Sequence, residues 1–284
     1  MLFGAAMFFT ADSMAPGALG RLLEERGFES LWVPEHSHIP VTRSTPFLGG
    51  GDIPRPYYDI MDPFLVLTAA AVATTTLKVG TGVCLINQRD PIHTAKMVSS
   101  IDQISNGRFL FGVGNGWNRE EMEHHGTDFT TRHKLSRERI EAMKAIWTND
   151  TAEYHGEMVN FAPMQMWPKP VQKPHPPVIV GGAWPHAARR AVRYGNGWIP
   201  HSGRPEYGDV TDFLPQFHAM ARAAGRDPAD LPVTLFRVPE DLERLRHDRE
   251  LGVARVVISL PAAQHDEIVP ILDRWVPVMR EMKG

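Results

Sequence analysis

The chain contains a single cysteine, Cys84, in 284 residues, so no internal disulfide can staple it and a disulfide-bonded secreted scaffold is excluded. A reducing, cytoplasmic setting is the default expectation. Long apolar runs are also missing. Residues 1–9 are apolar, but they fall well short of a membrane span of about 20 residues, carry no preceding positive charge, and have no Ala-x-Ala-like site behind them. That stretch reads as a first strand, and no membrane partner is expected. An excess of basic residues is lacking too: 30 Lys and Arg stand against 33 Asp and Glu, a formal net charge of −3, which offers no broad positive field for nucleic acid. What is present, 43% apolar and 22% charged residues, is ordinary for a soluble globular protein. The length suits one α/β barrel of about 250 residues, so residues 1–284 are expected to form a single domain.

The stretch 77–121 organises the rest. Residues 78–85 are apolar and β-branched with Gly80 and Gly82 among them; Asp90 then offers a helix N-cap and Pro91 a first helical position. Ile92, Ala95, Val98, Ile101 and Ile104 recur at helical spacing until Asn106-Gly107 stops the helix, and a second strand follows over 108–113. A helix joining two apolar strands is a βαβ crossover, with the strands parallel and covered on both faces. The residues after each strand, Cys84, Asn87 and Gln88, then Gly114, Asn115, Gly116 and Trp117, fall where open α/β sheets and barrels place ligands.

Read in order, the remaining chain repeats this unit. Strands are expected at 3–9, 29–34, 178–180, 196–200, 232–238 and 254–260, and helices over 18–27, 62–73, 132–147, 213–224, 241–251 and 266–282. A further helix follows Gly181-Gly182-Ala183-Trp184-Pro185, with Pro185 at its first position. Residues 39–60 form a long loop with Gly49-Gly50-Gly51, and the hairpin-like, proline-rich passage 151–177 reads as one insertion. Eight strands alternating with helices is the count of a (β/α)8 TIM barrel.

Three motifs carry possible chemistry. Gly112-x-Gly114-x-Gly116 has the wrong spacing for a dinucleotide fingerprint and no acidic partner after the next strand; its glycines more simply permit close approach. Gly181-Gly182 before a helix suits an anion such as phosphate, and His201-Ser202-Gly203-Arg204 at the next strand end adds donors beside it. A tight βα turn is the alternative. His36-x-His38 looks like the metal pair of amidohydrolases, yet that pair belongs on a first strand with an aspartate closing the eighth, and here the eighth closes as Ile258-Ser259-Leu260. No metal is expected, and His36 at a barrel mouth reads as a proton donor or a ligand for an anionic ring.

With these residues assembled, the chain resembles the bacterial luciferase-like monooxygenase superfamily, and within it the branch of deazaflavin (F420)-dependent oxidoreductases. The resemblance rests on Gly27-Phe28-Glu29-Ser30-Leu31-Trp32-Val33-Pro34-Glu35-His36, Gly80-Thr81-Gly82-Val83, Asp102-Gln103-Ile104-Ser105-Asn106-Gly107-Arg108, the run from Gly112 through Trp117 to Glu121, and Gly195-Asn196-Gly197-Trp198-Ile199-Pro200. It covers nearly the whole chain. It implies a TIM barrel, often a homodimer, with coenzyme F420 at the C-terminal mouth and a non-prolyl cis peptide at Gly82–Val83 behind the ring. It further implies Glu35, Gly82, Val83 and Asn115 near the ring, Gly181, Gly182, Ala183, His201, Ser202 and Arg204 at the phosphate, and His36 as the catalytic residue. His38, Tyr57 and Trp117 are expected to shape the pocket of a small-molecule substrate, and the glycine loop at 49–51 to leave room for an acidic tail. FMN as cofactor of a monooxygenase, and a flavin-binding protein without turnover, remain the alternatives.

Overall fold

The computed structural model describes residues 1–202 and 208–283. Its elements run β1 (Leu2–Met7), α1 (Pro16–Glu25), β2 (Ser30–Val33), α2 (Pro56–Asp59), α3 (Pro63–Val72), β3 (Lys78–Thr81), β4 (Cys84–Leu85), α4 (Pro91–Ile104), β5 (Phe109–Gly114), α5 (Arg119–His124) and α6 (Arg132–Thr148). A hairpin of β6 (Ala152–His155) and β7 (Asn160–Met164) follows, then β8 (Val178–Gly181), α7 (His186–Tyr194), β9 (Gly197–Ile199), α8 (Leu214–Ala223), β10 (Thr234–Phe236), α9 (Leu242–Glu250), β11 (Arg255–Leu260) and α10 (His265–Lys283).

The main sheet runs in the order β10-β11-β1-β2-β3-β5-β8-β9, and every pairing in it is parallel. Its ends meet through a parallel bridge between Trp198 and Val233, with Trp198 N–H on Pro232 O at 3.1 Å and Phe236 N–H on Pro200 O at 3.0 Å. The ring thereby closes as the expected eight-stranded barrel with its helices outside. The βαβ unit at its centre is built as its residues require: Asp90 accepts the His93 amide at 2.8 Å, Pro91 opens α4, and Asn106 and Gly107 leave it at φ 52° and 77°.

Inside the barrel, Trp32 is fully buried among Ala6, Leu110, Ile179, Ile199 and Val257. Gly4 and Gly80 make room for it, since a Cβ at either would come within 3.0 Å of its ring. Burying one such indole contributes about 4 to 6 kcal/mol. Below it, Arg255 pairs with Glu29 at 2.7 and 2.8 Å, so the N-terminal end of the barrel is plugged and the open end is the C-terminal mouth.

The structure departs from the sequence reading in three places. The third strand is broken into β3 and β4 by a cis Gly82–Val83 peptide, the bond the resemblance implied. The glycines of the 112–116 motif make room for the break. A Cβ at Gly112 would lie 1.9 Å from Thr81 O, and one at Gly114 2.3 Å from Val83 Cγ2. The helix after Gly181-Gly182 starts at His186, with Pro185 outside it as the cap residue. Finally, the long loop contains the single turn α2, too short for periodicity to show. The insertion is docked on the barrel: Glu138 accepts the Met158 and Val159 amides of the hairpin at 2.7 and 3.1 Å, and Gln172 binds Asp102 through its amide at 2.9 Å. Among the described residues, no helix is long and apolar enough to cross a membrane.

Candidate active site

A cavity of about 1140 Å³ opens at the C-terminal mouth. Its wall contains Glu35, His36, Tyr57, Gly82, Val83, Asn115, Trp117, Gly181, Gly182, Ala183, His201 and Ser202, so residues separated by up to 167 positions converge there. Arg204 lies outside the described residues. His38 is not in the wall: its Nε2 meets His124 Nδ1 at 2.8 Å and its ring stacks on that of His124. Among the described residues no cluster of His, Cys, Asp and Glu could hold a metal ion.

At one end of the cavity His36, at the mouth of β2, is paired through Nδ1 with Glu121 Oε2 at 2.8 Å; their side chains are 6% and 1% exposed. The other carboxylate oxygen accepts the Ser37 amide at 2.9 Å. Burial raises the Glu121 pKa, but the His36 hydrogen bond and charge and the Ser37 amide outweigh it, so the carboxyl is held below its ordinary value and stays ionised. With Nδ1 occupied, Nε2 is the ring nitrogen left for a ligand. Aromatic side chains surround it. The Tyr57 and Trp117 rings lie 5.2 and 5.8 Å from the imidazole, and Phe47 touches both at 5.2 and 5.6 Å. The neighbouring Glu120 accepts the Ser44 amide at 2.7 Å and the Thr45 amide at 3.2 Å, which holds the long loop over this end.

Glu35 lines the same cavity, but its carboxylate is already engaged. Oε2 accepts the Leu85 amide at 2.6 Å, Oε1 accepts Arg89 Nε at 2.5 Å, and Arg89 reaches on to Asp62 at 2.7 Å. Its evident effect is to hold the chain after the Gly82–Val83 peptide. Cys84, beside it, is fully buried, and burial followed by the Glu35 charge pushes its thiol up, so it is not a nucleophile. Asn87 positions Asn115: its Nδ2 donates to Asn115 O at 2.9 Å while its Oδ1 accepts Ser136 at 2.6 Å.

The opposite end is basic. Gly182, at φ 122°, and Ala183 lead into α7, and Ser202 donates its amide to Phe236 O at 2.8 Å, which fixes the β9 mouth against β10. Arg132, His133, His186 and Arg190 complete this end, and the Nε atoms of Arg132 and Arg190 are buried without a hydrogen-bond partner. His133 is pushed down to about 4, by partial burial first and then by Arg190, Arg132 and His186, so it is neutral at pH 7. Unpaired donors around a neutral imidazole form a set that fits a dianionic phosphate.

The luciferase-like monooxygenase family model matches residues 15–240. The chain belongs to that family. Among its relatives is the uncharacterized protein Rv0953c of Mycobacterium tuberculosis, 37% identical over 280 residues, which span 96% of this chain and 97% of the relative. An F420-dependent hydroxymycolic acid dehydrogenase of the same organism is 28% identical, over 73% of this chain and 54% of the relative. An FMNH(2)-dependent dimethylsulfone monooxygenase of Pseudomonas putida is 32% identical, over 62% and 48%. The solved structure of monooxygenase RslO1 from Streptomyces bottropensis superposes with a TM-score of 0.80 at 21% identity, covering 100% of both chains. The family thus holds both deazaflavin- and flavin-dependent oxidoreductases, and its luciferase-like barrel is the fold observed here.

Sequence reasoning missed Glu121 and the basic group Arg132, His133, His186 and Arg190. Asn118 caps α5 by accepting the Glu121 backbone amide at 3.4 Å, while the Glu121 carboxylate turns the other way, to His36 and Ser37, which local sequence does not show. The signal for the basic group was present as His186, Arg189, Arg190 and Arg193, four basic residues at the spacing of one helix face.

Proposed function

We propose that the chain is an F420-dependent oxidoreductase that transfers a hydride between the deazaflavin and a small organic substrate. The observation that carries this reading is the buried His36–Glu121 pair, which presents one imidazole nitrogen to an aromatic-walled cavity at the barrel mouth. Such a pair suits a reaction in which one proton must be given to or taken from the substrate atom next to the hydride-accepting carbon. Val83 and Asn115 would hold the ring, and Arg132, His186, Arg190 and the turn at Gly181-Gly182 would hold the phosphate. When bound, the deazaflavin supplies a hydride and does not readily pass single electrons or activate oxygen. The residues of this chain supply position, the exclusion of water by Phe47, Tyr57 and Trp117, and a proton at His36 Nε2. Glu121 is a positioning residue, fixing the tautomer and stabilising the imidazolium when His36 takes up a proton.

The test is titration of the apoprotein with each cofactor, oxidised and reduced. Deazaflavin F420 is expected to bind at a micromolar or lower Kd, equivalent to about 8 kcal/mol or more, with FMN weaker by at least about tenfold. Tighter FMN binding, with oxygen consumed on adding reduced FMN and substrate, would transfer the chain to the monooxygenases. Binding without turnover of any carbonyl or alcohol would leave a carrier protein.

A further inference from the structure

Beside the main cavity lies a second one of about 940 Å³, between α6, α7 and the β6–β7 hairpin. The two share His133, His186 and Arg190 in their walls, so the second begins where the phosphate end of the first stops. Its α7 wall is the stripe His186, Arg189, Arg190 and Arg193, which extends along about 10 Å of helix at 1.5 Å per residue. Among the described residues, none of these four is paired with a carboxylate. The acidic groups of the opposite wall, Glu138 and Glu157, are already used, the first by the hairpin amides and the second by Lys134, and nearby Glu141 accepts the Tyr154 hydroxyl at 2.7 Å. At the end of α7 the Tyr194 hydroxyl is buried without a hydrogen-bond partner, and the residue is 7% exposed. Unpaired cations gathered on one helix face repel one another, and a chain whose net charge is −3 has no general surplus of positive charge to account for them.

We propose that this second cavity is a subsite for an oligocarboxylate: the acidic tail that a deazaflavin carries beyond its phosphate. The inference rests on the cofactor reading above and specifies it, because FMN ends at its phosphate and would leave the cations of the second cavity without a counter-charge. A stripe of about 10 Å matches two or three successive carboxylates on an extended tail, which rise about 3.3 to 3.6 Å per residue if the tail resembles a peptide. The glycine loop at 49–51 is the poorer route, since its own charged wall residue is Asp52.

The experiment compares three ligands on the apoprotein: deazaflavin with an oligoglutamate tail, the same deazaflavin ending at its phospholactate, and FMN. Each is titrated at low and high salt, on the natural chain and on the Arg189→Ala/Arg193→Ala double variant, whose changes lie on the exposed face of α7. The tailed cofactor should bind about tenfold more tightly than the truncated one at low salt, and high salt and the double variant should both remove that gap. The truncated cofactor and FMN should bind the variant as they bind the natural chain. Free oligoglutamate should compete with the tailed cofactor and leave the truncated one in place. Equal affinity for tailed and truncated deazaflavin overturns the subsite while leaving the cofactor reading intact. A variant that weakens all three ligands alike overturns it as well, by showing a general loss of charge or fold. If FMN binds and neither deazaflavin does, both readings fall.

Discussion

The two ends of the cavity handle charge in opposite ways. At the β2 end the two buried carboxylates each have a counterpart within the protein: Glu35 has Arg89 and the Leu85 amide, and Glu121 has His36 and the Ser37 amide. At the α7 end Arg132, His186 and Arg190 crowd together with no carboxylate on them among the described residues, and partial burial first, then Arg190, Arg132 and His186, depress His133. An end neutralised from within is suited to an uncharged reactant and a single moving proton, whereas an end with uncompensated donors gains stability only when an anion arrives. The polarity of the site is therefore written in which charges are left unpaired, and it orients a long ligand with its anionic part toward α7 and its reacting part toward His36.

The largest effect that would break this contrast lies at His36. Replacing it with Asn is expected to leave cofactor affinity within about tenfold and to lower turnover by about 10² to 10⁴, the usual size of an acid–base contribution. Glu121→Gln keeps a hydrogen-bonding partner for Nδ1 while removing the charge, so it should lower turnover less than His36→Asn does, with KM little changed. Steady-state rates across pH check both. Unchanged turnover in His36→Asn would reduce the pair to packing, and with it the idea that the β2 end is the reacting end.

Next in size is the internal neutralisation itself. Arg89→Met leaves the Glu35 carboxylate, 5% exposed, without its cation, and removing one partner of a buried pair costs about 3 to 5 kcal/mol. Because the pair is not sealed from water, Arg89 being 16% exposed and its second partner Asp62 39%, the lower figure is expected, read as a reduced urea midpoint at unchanged slope. The double variant Glu35→Gln/Arg89→Met should recover part of the loss. A single variant as stable as the natural chain would mean that Glu35 is satisfied by the Leu85 amide alone.

How much of this was legible beforehand differs between the ends for the same physical reason. Strand order, barrel closure and the course of α4 follow from apolar periodicity and from caps such as Asp90 and Asn106-Gly107, which act within a few residues of themselves. His36, Tyr57 and Trp117 were legible as a group because they follow strand ends or belong to the loop above them. The His36–Glu121 bond joins positions 85 residues apart, and local sequence does not show which way the Glu121 carboxylate turns. Residues 78–85 read as one strand because composition does not register a break, whereas the small residues that admit it, Gly112, Gly114 and Gly181, lie on β5 and β8. The α7 stripe was visible as spacing; what spacing could not show is that the carboxylates facing it, Glu138 and Glu157, are already committed elsewhere.

The smallest expected effect sharpens the α7 end. In the free protein His133 is held down to about 4, while in the unfolded chain a histidine titrates near 6.5, so the unfolded state takes up this proton first as the pH falls. The contribution to stability is therefore fully present above about 6.5 and is lost as the pH drops through about 4; because the imidazole is partly open to solvent, its size is modest. A bound phosphate places negative charge among Arg132, His186 and Arg190, offsets the repulsion that depresses His133, and raises its pKa. Proton NMR of the His133 imidazole, titrated with and without inorganic phosphate, reads this directly, with His133→Asn assigning the resonance. An upward shift on adding phosphate is expected, together with a flatter loss of stability between pH 6.5 and 4. A His133 that titrates near 6.5 without phosphate and does not respond to it would mean that the cations are neutralised by the protein after all, and the two ends of the cavity would no longer differ.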